Sequence, residues 1–220
     1  MDKTPIISRV IWHLGPLTFH ADSVIMSLGV TVFLLGLALF ATRRMQIVPG
    51  PLQNLMEILV EFMESMVREN MGQKGLAYLP FFATLLFFIF VANMVGLIPW
   101  LKSPTADINV TLGLAVAVML AMQYISIRVH GFMGWLRHFF QPNFIFFILH
   151  LLELVTRPLT LALRLFGNIF AGEVLIIILY SLAPVVVPTL WLALSLAIGA
   201  IQAYIFTVLS LAYTGVSMED

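Results

Sequence analysis

The sequence predicts an all-α integral membrane protein: five membrane-crossing helices, the last two long and tilted as a hairpin, plus one amphipathic interfacial helix. Three observations carry this. The 220 residues are 61% hydrophobic and only 10% charged, whereas ordinary soluble domains are about a quarter charged. The few charges bracket uncharged runs of about 20 residues or more, the length that spans a hydrocarbon core. One segment, 51–71, instead interleaves apolar and charged residues at helical spacing. The chain 1–220 reads as a single membrane domain without internal repeats.

The elements follow in order. Residues 1–22 contain Asp2, Lys3, Arg9 and Asp22 and no long apolar core, so they are a tail rather than a cleavable signal. The first span, about 23–42, stops at Arg43 and Arg44. The second, about 78–99, lies in the uncharged run between Lys74 and Lys102. The third, about 108–127, lies between Asp107 and Arg128. The remaining spans, about 143–180 and 185–214, are separated at Pro184 and Pro188, and each is longer than a bilayer core requires, which implies tilt. In 51–71, Leu52, Leu55, Met56, Leu59, Met63, Met66 and Val67 form one stripe, and Glu57, Glu61, Glu64 and Arg68 the opposite one. Such a helix lies on the membrane or against a partner helix, and a solvated face accounts for its glutamates.

Basic residues set the orientation. Arg43, Arg44, Arg68, Lys74, Arg128 and Arg137 collect on one side, and Lys3, Arg9 and Lys102 on the other. The loops 43–77 and 128–138 are therefore expected in the cytoplasm, with the N-terminus outside and, after five crossings, the C-terminus cytoplasmic. Eleven basic and eleven acidic residues cancel, so nothing points to a nucleic-acid partner. Without cysteine there is neither a disulfide nor a thiolate metal site. No cofactor or metal motif is present. His13, His20, His130 and His138 fall in tails or loops and read as surface histidines.

The 143–180 helix carries a polar stripe. Counting about 100° per residue puts His150, Glu153, Arg157, Arg164 and Asn168 within an arc of about 60°, and Glu173 on the far side. Arg157 has an ordinary explanation, because Glu153 stands four residues before it, where the side chains meet. Arg164 has none. Its neighbours at i−4 and i+4 are the neutral Thr160 and Asn168, yet a guanidinium stays charged at physiological pH. Glu173 points away and Asp107 lies at a membrane face, so the missing carboxylate is expected on another subunit. In the last span Ser195, Gly199, Gln202 and Tyr213 share a face, with core hydrogen bonding as the plain alternative for Gln202. Gly167 and Gly172 permit close approach of another helix, and Pro158 interrupts the backbone ladder just before the arginine.

These residues carry a resemblance. RPLTLALRLFGNIFAGE (157–173) resembles the signature of subunit a of the F-type ATP synthase. FFIFVANMVGLIPW (87–100), PTADINVTLGLA (104–115), IQAYIFTVLSLAYTG (201–215) and the VPGPLQNLME entry to the amphipathic helix are similar to other parts of that family. The similarity extends over essentially the whole chain from about residue 20. It implies a stationary, non-enzymatic channel subunit beside a rotating c ring, with the subunit b stalk and membrane lipid as further partners, in a bacterial plasma membrane. It further implies two offset half-channels that pass protons to and from the ring carboxylates, coupling ion flow to ATP synthesis. Arg164 matches the arginine facing those carboxylates. Asn168, Glu173 and Gln202 match polar residues of the ion pathway, and Asp107 an acid at its outer mouth. Ser195 and Gly199 stand where some relatives carry a histidine facing the glutamate, and the acid upstream of the arginine varies in position, so His150 and Glu153 transfer less directly. From the residues alone, a stand-alone proton-coupled transporter is the alternative, although such proteins usually show inverted repeats and ion pairs of their own.

Overall fold

The computed structural model describes residues 11–14, 17–43, 47–98, 101–138, 144–182 and 186–219. The all-α membrane class is present. Five helical runs are long and apolar enough to cross a membrane: Ala21–Thr42, Pro51–Val95, Ile108–Leu136, Phe147–Leu182 and Val186–Met218. They are built from α1 (Ala21–Thr42), α2 (Pro51–Gly75), α3 (Leu79–Val95), α4 (Ile108–His138), α5 (Phe144–Leu182) and α6 (Val186–Glu219). Short 3₁₀ turns at Leu76–Tyr78 and Pro104–Ala106 lead into α3 and α4.

Two features differ from the sequence expectation. Ahead of α1 the tail folds into an antiparallel hairpin, β1 (Ile11–Leu14) with β2 (Leu17–His20), pairing Trp12 with Phe19 and His13 with Thr18. β-Branched and aromatic residues suit strands; the intervening Gly15 and Pro16 lie outside the described residues. Second, the 128–138 segment is helical. α4 continues to His138 through a break at Gly131 (φ 74°), just as α2 breaks at Gly72 (φ 65°). A positive φ is available to glycine without steric cost, so the chain changes direction there yet resumes helical bonding. Pro158 does not end α5. Pro188 sits in the first turn of α6, where a missing N–H costs no helical bond. Arg44 and Pro184 fall outside the described residues.

α6 is the central element, packing on α2, α3, α4 and α5. Its Phe206 and Leu211 are fully buried with Met63 and Val67 of α2, Phe82 and Ile89 of α3, Ile125 of α4 and Leu165 of α5. The second half of the amphipathic stripe on α2 is therefore core, closed over by α3 and α6, while Glu57, Glu61 and Arg68 remain exposed. Phe62 stacks on Tyr204 of α6 at 6.3 Å between ring centres. α1 stands largely apart from this core, and α5 enters it only through Leu161, Ala162 and Leu165, with 6% of each apolar window buried. Gly167 and Gly172 look into open space: a Cβ at either meets nothing within 4 Å. Among the described residues no helix backbone uses the close approach they permit, although Trp191 Nε1 of α6 donates to the Gly172 carbonyl at 3.3 Å.

Close approach is used at Gly215, where a Cβ would stand 2.1 Å from the backbone oxygen of Asn70 on α2. Main chain cannot swing aside as a flexible side chain can, so α2 and α6 must separate. Gly215→Ala is expected to destabilise the fold by about 1–3 kcal/mol, the usual cost of overpacking. Gly113→Ala, with nothing within 4 Å, is the control and should be neutral or slightly stabilising. Thermal unfolding of the purified protein in detergent compares the two, and equal melting temperatures would refute the contact.

Candidate functional site: two polar cavities flanking an exposed arginine

α5 places Arg164 by its period. Leu161, Ala162 and Leu165 are buried against the rest of the chain, which turns Arg164 outward, where it is exposed. Thr160 and Asn168 flank it one turn to either side, and elsewhere on the helix Leu159, Leu163, Phe170 and Val174 are between 39% and 46% exposed. Among the described residues it makes no ion pair and no hydrogen bond. Thr160, one turn earlier, donates to the Thr156 carbonyl at 2.7 Å. An exposed guanidinium on a largely apolar membrane helix is costly unless an anion meets it.

Glu173 lies further along α5 and faces inward. The Ser103 amide donates to its Oε1 at 3.3 Å. From Ser103 a buried network runs across the molecule. Its hydroxyl donates to the Ala92 carbonyl at 3.0 Å and lies 2.7 Å from the Thr105 hydroxyl. Thr105 donates to Asn93 Oδ1 at 2.7 Å, and Asn93 Nδ2 donates to the Gly199 carbonyl of α6 at 2.9 Å. The two hydroxyl protons serve three contacts, so one is shared. Buried polar groups joined in this way fix α3, the 103–105 segment and α6 in register.

Two cavities share Glu173 as a wall. One of ≈ 160 Å³ is lined by Asn93, Asn168, Glu173, Trp191 and Ser195 among others. The second, ≈ 20 Å³, is bounded by Asp22, Ser23, Lys102, Ser103, Asp107 and Glu173, room for about one water. The structure thus gathers Asn168, Glu173 and Ser195, and brings Asp107 to the same end. The polar stripe divides: Arg164 is exposed, while Asn168 is half-buried and turns to the cavity side. The reason is that an arc of about 60° straddles the edge of the α5–α6 contact.

Asp107 is 2% exposed and caps α4. Its Oδ1 accepts the Asn109 amide at 3.0 Å; its Oδ2 accepts Ser23 Oγ at 2.7 Å and lies 2.5 Å from His20 Nδ1. Burial pushes its pKa up, but the bonds from Ser23, the Asn109 amide and His20, with the charge of the imidazole, outweigh this and hold it below 3.8. A lowered carboxyl pKa adds stability above the unfolded value, lost only as pH falls through the folded one, so this anion is fixed at neutral pH. His20, expected at the surface, is instead part of the site.

The opposite end holds a third cavity, ≈ 260 Å³, lined by Gln123, Ser126, His150, Glu153, Arg157 and Ser217 among others. Here Arg157 pairs with Glu153, lies 5.2 Å from the centre of the Tyr213 ring and contacts Met122 Sδ at 4.0 Å. Its charge is met within the chain. Gln202 of α6 is 6% exposed, and its Nε2 has no hydrogen-bond partner among the described residues.

His20, Ser23, Asn93, Ser103 and Thr105 escaped the sequence reading. The available signal was that HADS (20–23) and SPTAD (103–107) are polar stretches abutting apolar spans.

Comparison with known proteins gives the family. The family model described as ATP synthase A chain matches residues 24–215. ATP synthase subunit a of Moorella thermoacetica is 37% identical over 203 residues, covering 92% of this chain and 93% of its own. That of Desulforamulus reducens is 41% identical over 213 residues, covering 92% and 81%. That of Gloeobacter violaceus is 37% identical over 236 residues, covering 100% and 95%. With a match along nearly its full length, the chain belongs to the ATP synthase A chain family.

Proposed function

We propose that this chain is the stationary ion channel of an ATP synthase membrane sector, carrying protons through two offset half-channels to and from the carboxylates of a c ring. The observation that carries this reading is Arg164: exposed, without a partner among the described residues, on an otherwise largely apolar helix between two cavities that each admit polar side chains. Glu173 is about 13 Å from it along the helix in one direction and Arg157 about 10 Å in the other. The first half-channel is built from Glu173, Asn168 and Ser195, with Asp107 at its mouth. The second runs along His150, Glu153 and Arg157. Gln202 belongs to the pathway wall, where water supplies the acceptor its amide lacks. The 43–77 and 128–138 segments face the cytoplasm of a bacterial cell, the N-terminus lies outside, and the subunit b stalk is a further partner.

The energetics suit a rotor. An ion pair at 4 Å is worth about 4 kcal/mol at an effective dielectric of 20. A charge crossing 100 mV gains about 2.3 kcal/mol. Arg164 therefore stabilises a deprotonated ring carboxylate without trapping it, and its fixed charge is a barrier to protons passing directly between the half-channels.

Arg164→Ala should abolish ATP-driven pumping by the complete complex in proteoliposomes while raising passive proton leak. Pumping at the wild-type rate would overturn the assignment. Cysteine at Leu163, which is 46% exposed, should crosslink to a cysteine beside the ring carboxylate. Crosslinks confined to this chain would instead turn the arginine face inward.

A further inference from the structure

The hairpin and α1 are held to the molecule at few points. Of the 22 residues of α1 only Ala21 and Val30 are buried. The polar attachments lie at its start: His20 and Ser23 on Asp107, and Lys102 Nζ on Asp22 at 3.3 Å. The oxygen that receives His20 and Ser23 belongs to a carboxylate whose other oxygen caps α4. That carboxylate also borders the water-sized cavity with Glu173.

Donors and a helix N-terminus all favour the anionic form of a carboxylate, which makes Asp107 a poor exchanger of protons near neutral pH. Its partner has the required chemistry. Histidine changes charge between about pH 5 and 8, and the His20 side chain is 24% exposed, reaching solvent on one side and the buried anion on the other. We propose that His20 is the proton-exchanging group at the mouth of this half-channel, and that Asp107 is the fixed anion that orients it rather than a relay. Uptake places a proton on the ring and forms an imidazolium–carboxylate pair. Release gives that proton to water beside the ring and restores the neutral ring; Asp107, which the ring touches, borders the water-sized cavity that leads on to Glu173. Among the described residues, Asp107 at the start of α4 touches His20, while Asp22 of α1 with its partner Lys102 and Glu173 of α5 line the cavity that Asp107 borders. The strand partner of His20 on the hairpin, Ile11, is neutral.

This inference rests on the channel reading, and the two fail separately. The complete ATP synthase is reconstituted in liposomes, and proton flux is measured while pH is varied on the side that carries residues 20–23 and 102–107. Wild type should show a limb of up to about tenfold per pH unit, the steepest a single titrating group gives. His20→Gln keeps an N–H donor for Asp107, so α1 stays attached, but the limb should flatten and the maximal flux fall. Asp107→Asn should move the limb to lower pH, because the imidazolium loses its anion. Titration of His20 by NMR of histidine-labelled complex should coincide with the wild-type limb, and this readout survives even if a variant does not assemble. An unchanged limb in His20→Gln, or a His20 titration more than about one pH unit from the limb, overturns the proposal. Loss of the limb in Asp107→Asn while His20 still titrates makes Asp107 the relay and also overturns it. Glu173→Gln tests the reading beneath: flux at the wild-type level would sink the half-channel itself, whatever His20 does.

Discussion

A guanidinium on the apolar face of a membrane helix costs about 2.5–3.5 kcal/mol on insertion scales unless something meets it. The rest of this molecule is arranged around leaving that charge unmet. Glu153 is taken by Arg157, Asp107 by Ser23 and the α4 cap, Asp22 by Lys102, Glu64 by Arg68, and Glu173 is held by the Ser103 amide. Each of these carboxylates is engaged away from Arg164. An exposed cation among leucines and phenylalanines is a stable design only where a second surface supplies an anion. Family membership places this chain in the membrane sector of an ATP synthase.

The need to keep that face free shapes the packing. α6 takes the core role, closing against α2 through Gly215 and against α3 through the Asn93–Gly199 hydrogen bond. α5 contributes only a narrow buried edge, Leu161, Ala162 and Leu165, and keeps the remainder of its surface open. Polar side chains gather where α5 meets its neighbours, with one cavity toward each of its ends. The end with Glu173 is stiffened by hydroxyl and amide bonds, whereas the other is closed by the Arg157–Glu153 pair and the Tyr213 ring.

Asp107 joins these themes. As a cap it satisfies donors at the start of α4, and as a fixed anion it secures α1, which buries almost nothing else. Much of the surface of α1, including Ile25, Leu28, Val32, Phe33, Leu35, Leu39 and Phe40, is left exposed.

The sequence by itself determined what depends on local periodicity. Runs without charge gave the crossing helices, the interleaved 51–71 segment gave α2, and counting around one helix separated Arg164 from Glu173 and paired Arg157 with Glu153. Each follows from the fixed rotation per residue, which no partner element can change. The tertiary structure alone decided the contacts between residues 70 to 106 positions apart: His20 with Asp107, Ser103 with Glu173, Asn93 with Gly199. It also decided that Asn168 turns to the cavity and that Gly215, not Gly167 or Gly172, is where helices of this chain touch. Apolar patterning tells a helix that it is in lipid, where every face is equally welcome. Which face meets another helix is set by backbone approach and by polar groups seeking partners, and these exist only once the helices have been brought together.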